Sequence, residues 1–295
     1  MGSGAVFVGL STLDIAYAVE EYPAADTKTR ADAMFLGAGG PAANAAVAYA
    51  FLSGHTPTLI TALGRHALAE PIRGDLREHG VAVVDSTPER GQRPPVSSIL
   101  VATGAGTRTI VSMDGSEIGD PLPNPELGVL DSAAMVLVDG HYPELALGIA
   151  AAARRRGIAV VLDAGRWREI HSDLLPLVDI AICSDAFAPP GVAAGTDALL
   201  DQLLSVGPHS VAVSRGGRPI RYATATERGE LPVPLSTAVD TLGAGDILHG
   251  AFCHFHSRGA DFRTALRRAA EVATLSCDYL GTREWMRQSP IQSMR

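Results

Sequence analysis

The sequence predicts an α/β protein, with a three-layer α/β/α body built on a mostly parallel sheet and a small antiparallel β lid outside it. Two observations carry this expectation. Short apolar runs of strand length alternate with longer segments of helical period, a pattern that sets successive strands parallel and puts helices on the sheet faces. Four more polar, extended segments break the alternation, and two of them flank a glycine-bearing hairpin signal.

Residues 5–8, 58–61, 135–138, 159–162, 180–183 and 210–213 are continuous apolar runs, as expected of strands buried on both faces. Between them, residues 42–52, 69–79, 143–156, 198–204 and 261–280 repeat apolar side chains at helical spacing. Ligands of such a body bind beyond the carboxyl ends of the strands. Residues 15–19 and 28–35 alternate as half-buried strands do. So do residues 96–101 and 108–111, which are joined by the Gly104 and Gly106 loop. Together they form the expected lid, over about residues 13–37 and 95–113. The stretch 120–125 is Pro-rich and short enough to be a connector.

A chain of 295 residues with 46% hydrophobic and 19% charged content can bury a large core, and one domain spanning 1–295 is expected. Net charge is −8, and the basic run Arg154-Arg155-Arg156 precedes Gly157 as a helix C-terminus does, so a nucleic-acid partner is not expected. Three scattered cysteines without a Cys-x-x-Cys pair indicate neither a disulfide framework nor a zinc ribbon, and a reducing cytoplasm is the expected setting. Residues 34–52 form a long uncharged stretch. Gly37, Gly39, Gly40, Pro41 and Asn44 make it a turn and helix start, so no membrane partner is expected.

The chemistry concentrates in Asp240-Thr241-Leu242-Gly243-Ala244-Gly245-Asp246, which runs straight into the apolar stretch 247–252. Small residues at 243–245 leave backbone amides open where a helix begins, and with the helix dipole they attract an anion. A carboxylate beside that site repels a resting phosphate. Asp246 is therefore expected to take the proton of a hydroxyl that attacks the phosphate. The plainer alternative is a helix start with a first-turn acid.

Two further groups sit in the N-terminal part. Asp14 follows the first strand, where an open sheet exposes its crevice, and its carboxylate can accept two hydroxyls. Gly39 and Gly40 allow close approach of a ligand to the backbone, and Asn44 offers both a donor and an acceptor. Each group also has an ordinary turn or packing role.

Taken together, Asp240 to Asp246, Asp14, and Gly39-Gly40 with Asn44 resemble the motifs of the ribokinase-like (PfkB) carbohydrate kinases. The resemblance runs from Val6 to about Gly281, and the motifs lean toward the ketohexokinase branch. It implies ATP-dependent transfer to a sugar hydroxyl, with Mg²⁺ and often a monovalent cation such as K⁺. By this resemblance Asp246 is the base, and Gly243, Ala244, Gly245 and Asp246 supply the anion hole. Asp14, Gly39, Gly40 and Asn44 hold the sugar. The strand and loop 211–217 resemble the family's nucleotide-carrying segment and 269–281 its adenine-side helix, which puts Ser214, Gly216, Gly243, Gly245, Ala273 and Cys277 at the nucleotide. Arg108, on the lid, is expected to contact sugar or phosphate.

Departures qualify the transfer. Where many members carry Gly-x-Asp, this chain has Gly64-Arg65-His66, and Asn-x-x-Glu is replaced by Ser184-Asp185-Ala186-Phe187. That leaves Asp185, through water, as the candidate for Mg²⁺. No Gly-x-x-x-x-Gly-Lys-Ser/Thr occurs, so this is not a P-loop kinase. His249, Cys253 and His256 share a helix face at metal-ligand spacing, but apolar neighbours and the lack of a fourth ligand make them ordinary helix residues. The alternatives are a nucleoside or other small-alcohol kinase of the same fold, and a catalytically silent sugar or nucleotide sensor. The lid's open edges and apolar face make it the expected contact of a homodimer.

Overall fold

The computed structural model describes residues 4–113 and 127–287. In chain order the elements are β1 (Gly4–Val8), β2 (Thr12–Val19), β3 (Ala33–Gly39), α1 (Pro41–Ser53), β4 (Thr58–Thr61), α2 (Ala69–Glu78), β5 (Ala82–Asp85), β6 (Val96–Ala102) and β7 (Thr107–Met113). They continue with β8 (Ala133–Val138), α3 (Pro143–Arg155), β9 (Ala159–Ala164), α4 (His171–Leu174), β10 (Ile180–Ser184), α5 (Asp197–Val206) and β11 (Ser210–Arg215). The last are β12 (Arg218–Thr224), β13 (Arg228–Leu231), α6 (Ala244–Ser257) and α7 (Phe262–Ser276). The connector expected at 120–125 lies outside the described residues.

Nine strands form the body sheet in the order β13-β12-β11-β10-β9-β8-β1-β4-β5, parallel from β11 to β5 and antiparallel at β12 and β13. The apolar runs expected as strands are β1, β4 and β8 to β11. Alternation along β1 shows why both faces are covered: Phe7 joins the core under α1, α2, α6 and α7, while Val6 and Val8 join the core under α3, α4 and α5. The short β5 and the charged edge strands β12 and β13 were not anticipated. Pro219 and four arginines in residues 215–228 mask the apolar signal there.

The lid is a second, four-stranded sheet in the order β3-β2-β6-β7. Its β2–β3 and β6–β7 pairs are antiparallel, while the central β2–β6 pair is parallel. The strand expected at 28–35 starts at Ala33 instead. Pairing with β2 begins at Ala18↔Ala33, where Asp32 N also donates to Ala18 O at 2.9 Å, so residues 28–31 precede the strand as a largely exposed loop. The helix expected over 261–280 stops at Ser276, because the Cys277 carbonyl accepts the amides of Val239 and Asp240 at 2.8 and 3.1 Å.

Candidate active site

The body changes direction at β1: the chain leaves it toward β4 and β5 on one side and, later, toward β8 and beyond on the other. The carboxyl ends of strands flanking such a switch open a crevice. Two adjoining cavities lie beneath the lid, and both are lined by Arg108 and Gly245.

The first cavity, about 320 Å³, lies between the inner face of the lid and the starts of α1 and α6, and its lining includes Asp14, Gly40, Asn44, Arg108, Gly243 and Asp246. Asp14 reaches it from β2, where alternation also turns Thr12 inward, and Thr12 Oγ1 donates to Asp14 Oδ1 at 2.5 Å. Across the lid, Asp14 pairs with Ser97 and Ser97 with Ser112, so one polar row crosses three strands. Burial pushes the Asp14 carboxyl up, opposed by the Thr12 and Ser97 hydroxyls and the Arg283 charge. Gly39 is not in the lining. A Cβ there would overlap the Asp14 carboxylate, so its role is to admit that side chain.

Helix α6 starts at Gly243, whose φ of 69° is left-handed and natural to glycine; a Cβ would also lie 2.6 Å from Thr282 Cγ2. Asp240 braces this turn: its carboxylate accepts Leu242 N at 2.8 Å and Gly281 N at 2.9 Å. Of the proposed anion-hole amides, Ala244 N already donates to Thr241 O at 3.3 Å. Asp246 stands in the first turn, and Asn44 Nδ2 donates to its Oδ2 at 2.8 Å. Burial, reinforced by the Asp163 charge, pushes the Asp246 carboxyl up to about 7, against the Asn44 hydrogen bond and the His249 ring.

The second cavity, about 420 Å³, continues on the far side of Gly245, lined by Ser214, Gly216, Ala244, Leu248, Ala273 and Cys277 among others. Its small and aliphatic walls suit a flat base. Arg108 stands between the two cavities and donates to Thr241 Oγ1.

Some expected residues are elsewhere. Asp185 lines neither cavity and is ion-paired with Arg218. His249 has its ring nitrogens 2.7 Å from Gly245 O and 3.1 Å from Ile182 O. Sequence reasoning missed Thr12, Ser97, Asp163 and Arg283. The polar Ser97 and Ser112 within apolar strand patterns were the available signal for the lid row.

A family model for pfkB family carbohydrate kinases matches residues 3–288. The chain belongs to that family. This PfkB protein is 23% identical to a ribokinase of Lactococcus lactis over 294 residues, covering 95% of this chain and 92% of that one. A crystal structure from Agrobacterium tumefaciens, described as a candidate ribokinase, superposes with a TM-score of 0.88 at 26% identity, over 100% of this chain and 96% of that one. An Arabidopsis thaliana ribokinase complexed with ribose and ATP has the same fold, with a TM-score of 0.74 at 22% identity over 98% and 100% of the two chains. A candidate ribokinase II from E. coli, complexed with ATP and Mg²⁺, also shares it, at a TM-score of 0.79 and 18% identity over 99% and 98%. The lean toward ketohexokinase has only weak support, since the mouse enzyme is 24% identical over 287 residues covering 93% and 96% of the two chains, against 25% over 293 residues for an Arabidopsis thaliana ribokinase covering 94% and 76%. This PfkB chain is thus a carbohydrate kinase, a phosphotransferase with an alcohol acceptor. No helix among its described residues is long and apolar enough to cross a membrane.

Proposed function

We propose that the protein transfers the γ-phosphoryl group of ATP to a hydroxyl of a small sugar, with ribose the first candidate and Asp246 as general base. The observation that carries this is Asp246 in the first turn of α6, lining the first cavity beside Asp14 and Asn44 and next to Gly245, which lines both cavities. The sugar lies on Asp14 and Asn44 with one hydroxyl toward Asp246, and the nucleotide occupies the second cavity beside Ser214, Gly216, Ala273 and Cys277. Asp246 takes the hydroxyl proton as the alkoxide oxygen forms its bond to phosphorus and the bond to the ADP leaving oxygen breaks. The amides at the start of α6 and the Arg108 guanidinium offset the developing charge. Gly243 serves through its turn, and Gly245 keeps the passage between the cavities narrow but open.

Mg²⁺ bound with the nucleotide would supply further charge neutralisation beside Arg108 and the start of α6. A K⁺ requirement, a cytoplasmic setting, a single kinase unit over residues 1–295 and pairing of two lids in a homodimer complete the proposal. The exposed outer lid face, with Met34, Leu36, Val111 and Met113, supports the last.

ADP release measured across a panel of pentoses, hexoses and nucleosides tests the substrate class, and a response confined to nucleosides would move the reading to the alternative. Asp246→Asn is expected to keep sugar affinity within a few fold while turnover falls by about 10³-fold or more. Wild-type turnover in that variant would remove Asp246 from the mechanism.

A further inference from the structure

Arg283 lies beyond α7, outside every motif that pointed to the site, yet it is only 8% exposed and bonds to Asn44 from behind the cavity wall. Its Nη1 donates to Asn44 Oδ1 at 3.0 Å and to Thr282 Oγ1 at 2.8 Å. Its Nη2 donates to Ala38 O at 2.8 Å and to Asp75 Oδ2 at 2.8 Å, and Nε reaches the same Asp75 oxygen at 3.3 Å. The counter-charge from α2 keeps a buried guanidinium paired, without which it would be costly to desolvate.

A guanidinium has donors and no acceptor. The end of the Asn44 carboxamide that faces Arg283 must therefore be its oxygen. That settles the one ambiguity of an asparagine side chain, which of its two ends points where. With the oxygen held by Arg283, the amino group points at Asp246, and it donates to Oδ2 at 2.8 Å. Turned by half a rotation, the same carboxamide would set its oxygen against the carboxylate.

We propose that Arg283 is a positioning residue for phosphoryl transfer: by dictating the orientation of Asn44, it keeps a donor on one oxygen of Asp246 and leaves the other oxygen for the substrate hydroxyl. The relay runs Asp75, Arg283, Asn44, Asp246, through α2, the segment after α7, α1 and α6. It rests on the assignment of Asp246 as base. The charged groups acting on Asp246 are Asp163 from β9, His249 from α6 and Asp14 from β2, together with the hydrogen bond from Asn44 on α1. Arg283 bonds directly to Asn44 among these and acts on Asp14 through its charge.

The test is the pH profile of kcat/KM for the sugar. Arg283→Gln replaces a group that can only donate by one that donates or accepts, so it no longer dictates the orientation of Asn44. The acid limb is expected to move up by about 1 pH unit, the size of one hydrogen bond to a charged group, with kcat falling more than KM rises. Arg283→Lys, which again can only donate, returns the limb toward the wild-type position. A folded Arg283→Gln protein with an unmoved limb, or a shift that Arg283→Lys fails to reverse, overturns the proposal. Should Arg283→Gln not fold, Asn44→Leu removes the donor that the relay delivers, and an unmoved limb there overturns it equally. The Asp246→Asn result separates the two failures: an inactive Asp246→Asn with no effect of Arg283 sinks the relay alone, whereas an active one sinks the base assignment beneath it.

Discussion

At the scale of single residues, the proposed function turns on the acid–base poise of Asp246. A carboxyl held near 7 by burial and by Asp163 is a base only when deprotonated, so kcat/KM is expected to fall as pH drops below about 7. An ordinary exposed carboxylate would sustain activity to about pH 4–5. Because Asp246 and Asp163 interact, the limb reports the pair, and a profile from pH 5 to 9 checks it. The same displacement sets a stability cost. A folded-state value raised above the unfolded one means stabilisation that is full below about 3.8 and is lost as pH rises through about 7. Asp246→Asn, neutral throughout, should therefore unfold at a higher temperature than the wild type at pH 8, with the gap narrowing toward pH 4. Calorimetry at the two pH values reads it.

Legibility at this scale followed sequence distance. The grouping of Asp246, Gly243 and Gly245 at one cavity wall was readable because residues at a helix start are neighbours in the chain. Asp14 and Asn44 needed two motifs in the same half. Arg283 was illegible: it meets Asn44 across 239 positions, and a lone arginine near the end of the chain carries no local pattern. The inward alternation of Ser97 and Ser112 was visible, but the cross-strand register that stacks them on Asp14 was not.

Among elements, the crossing of α1 and α6 decides whether Asn44 and Asp246 meet at all. Gly250 makes that crossing close: a Cβ there would overlap Ala45 O and sit 2.8 Å from Ala48 Cβ. The small-residue pattern of α1, with Ala42, Ala43, Ala45, Ala46 and Ala48 all buried, is the complementary half of the contact. Gly250→Ala is expected to lower stability by about 1–3 kcal/mol in denaturant titration, and to lower kcat because the two helix starts are pushed apart. Apolar strands and long helices of the body were plain from periodicity. The charged edge strands β12 and β13 were not, because their Arg221 and Arg228 pair with Asp197 and Asp201 on α5, a reason for charge that no window of sequence displays.

For the whole molecule, the lid gives the protein two different surfaces on one thin sheet. Its inner face carries the polar row that lines the first cavity, and its outer face exposes Met34, Leu36, Val111 and Met113, with Val111 70% accessible. Cross-strand register groups them: Leu36 pairs with Ile15, Met34 with Tyr17, and Val111 with Ser98 on the central strands. An apolar sheet face of this kind marks an association surface. The proposed homodimer therefore predicts sedimentation at twice the 30.7 kDa chain mass, and Met34→Glu with Val111→Lys should return it to a single chain while leaving the inner row intact. A wild type that sediments as a single chain would remove the dimer from the proposal.

Between β6 and β7 the hairpin turn brings Gly106 so near the opposite loop that a Cβ would lie 2.8 Å from Ala238 O, and Arg108 at the start of β7 donates to Thr241, so one tongue of chain borders both chambers. The two proposed guests would thus share a partition. If either guest shifts that partition, thermodynamic reciprocity requires each to change the other's affinity by the same factor.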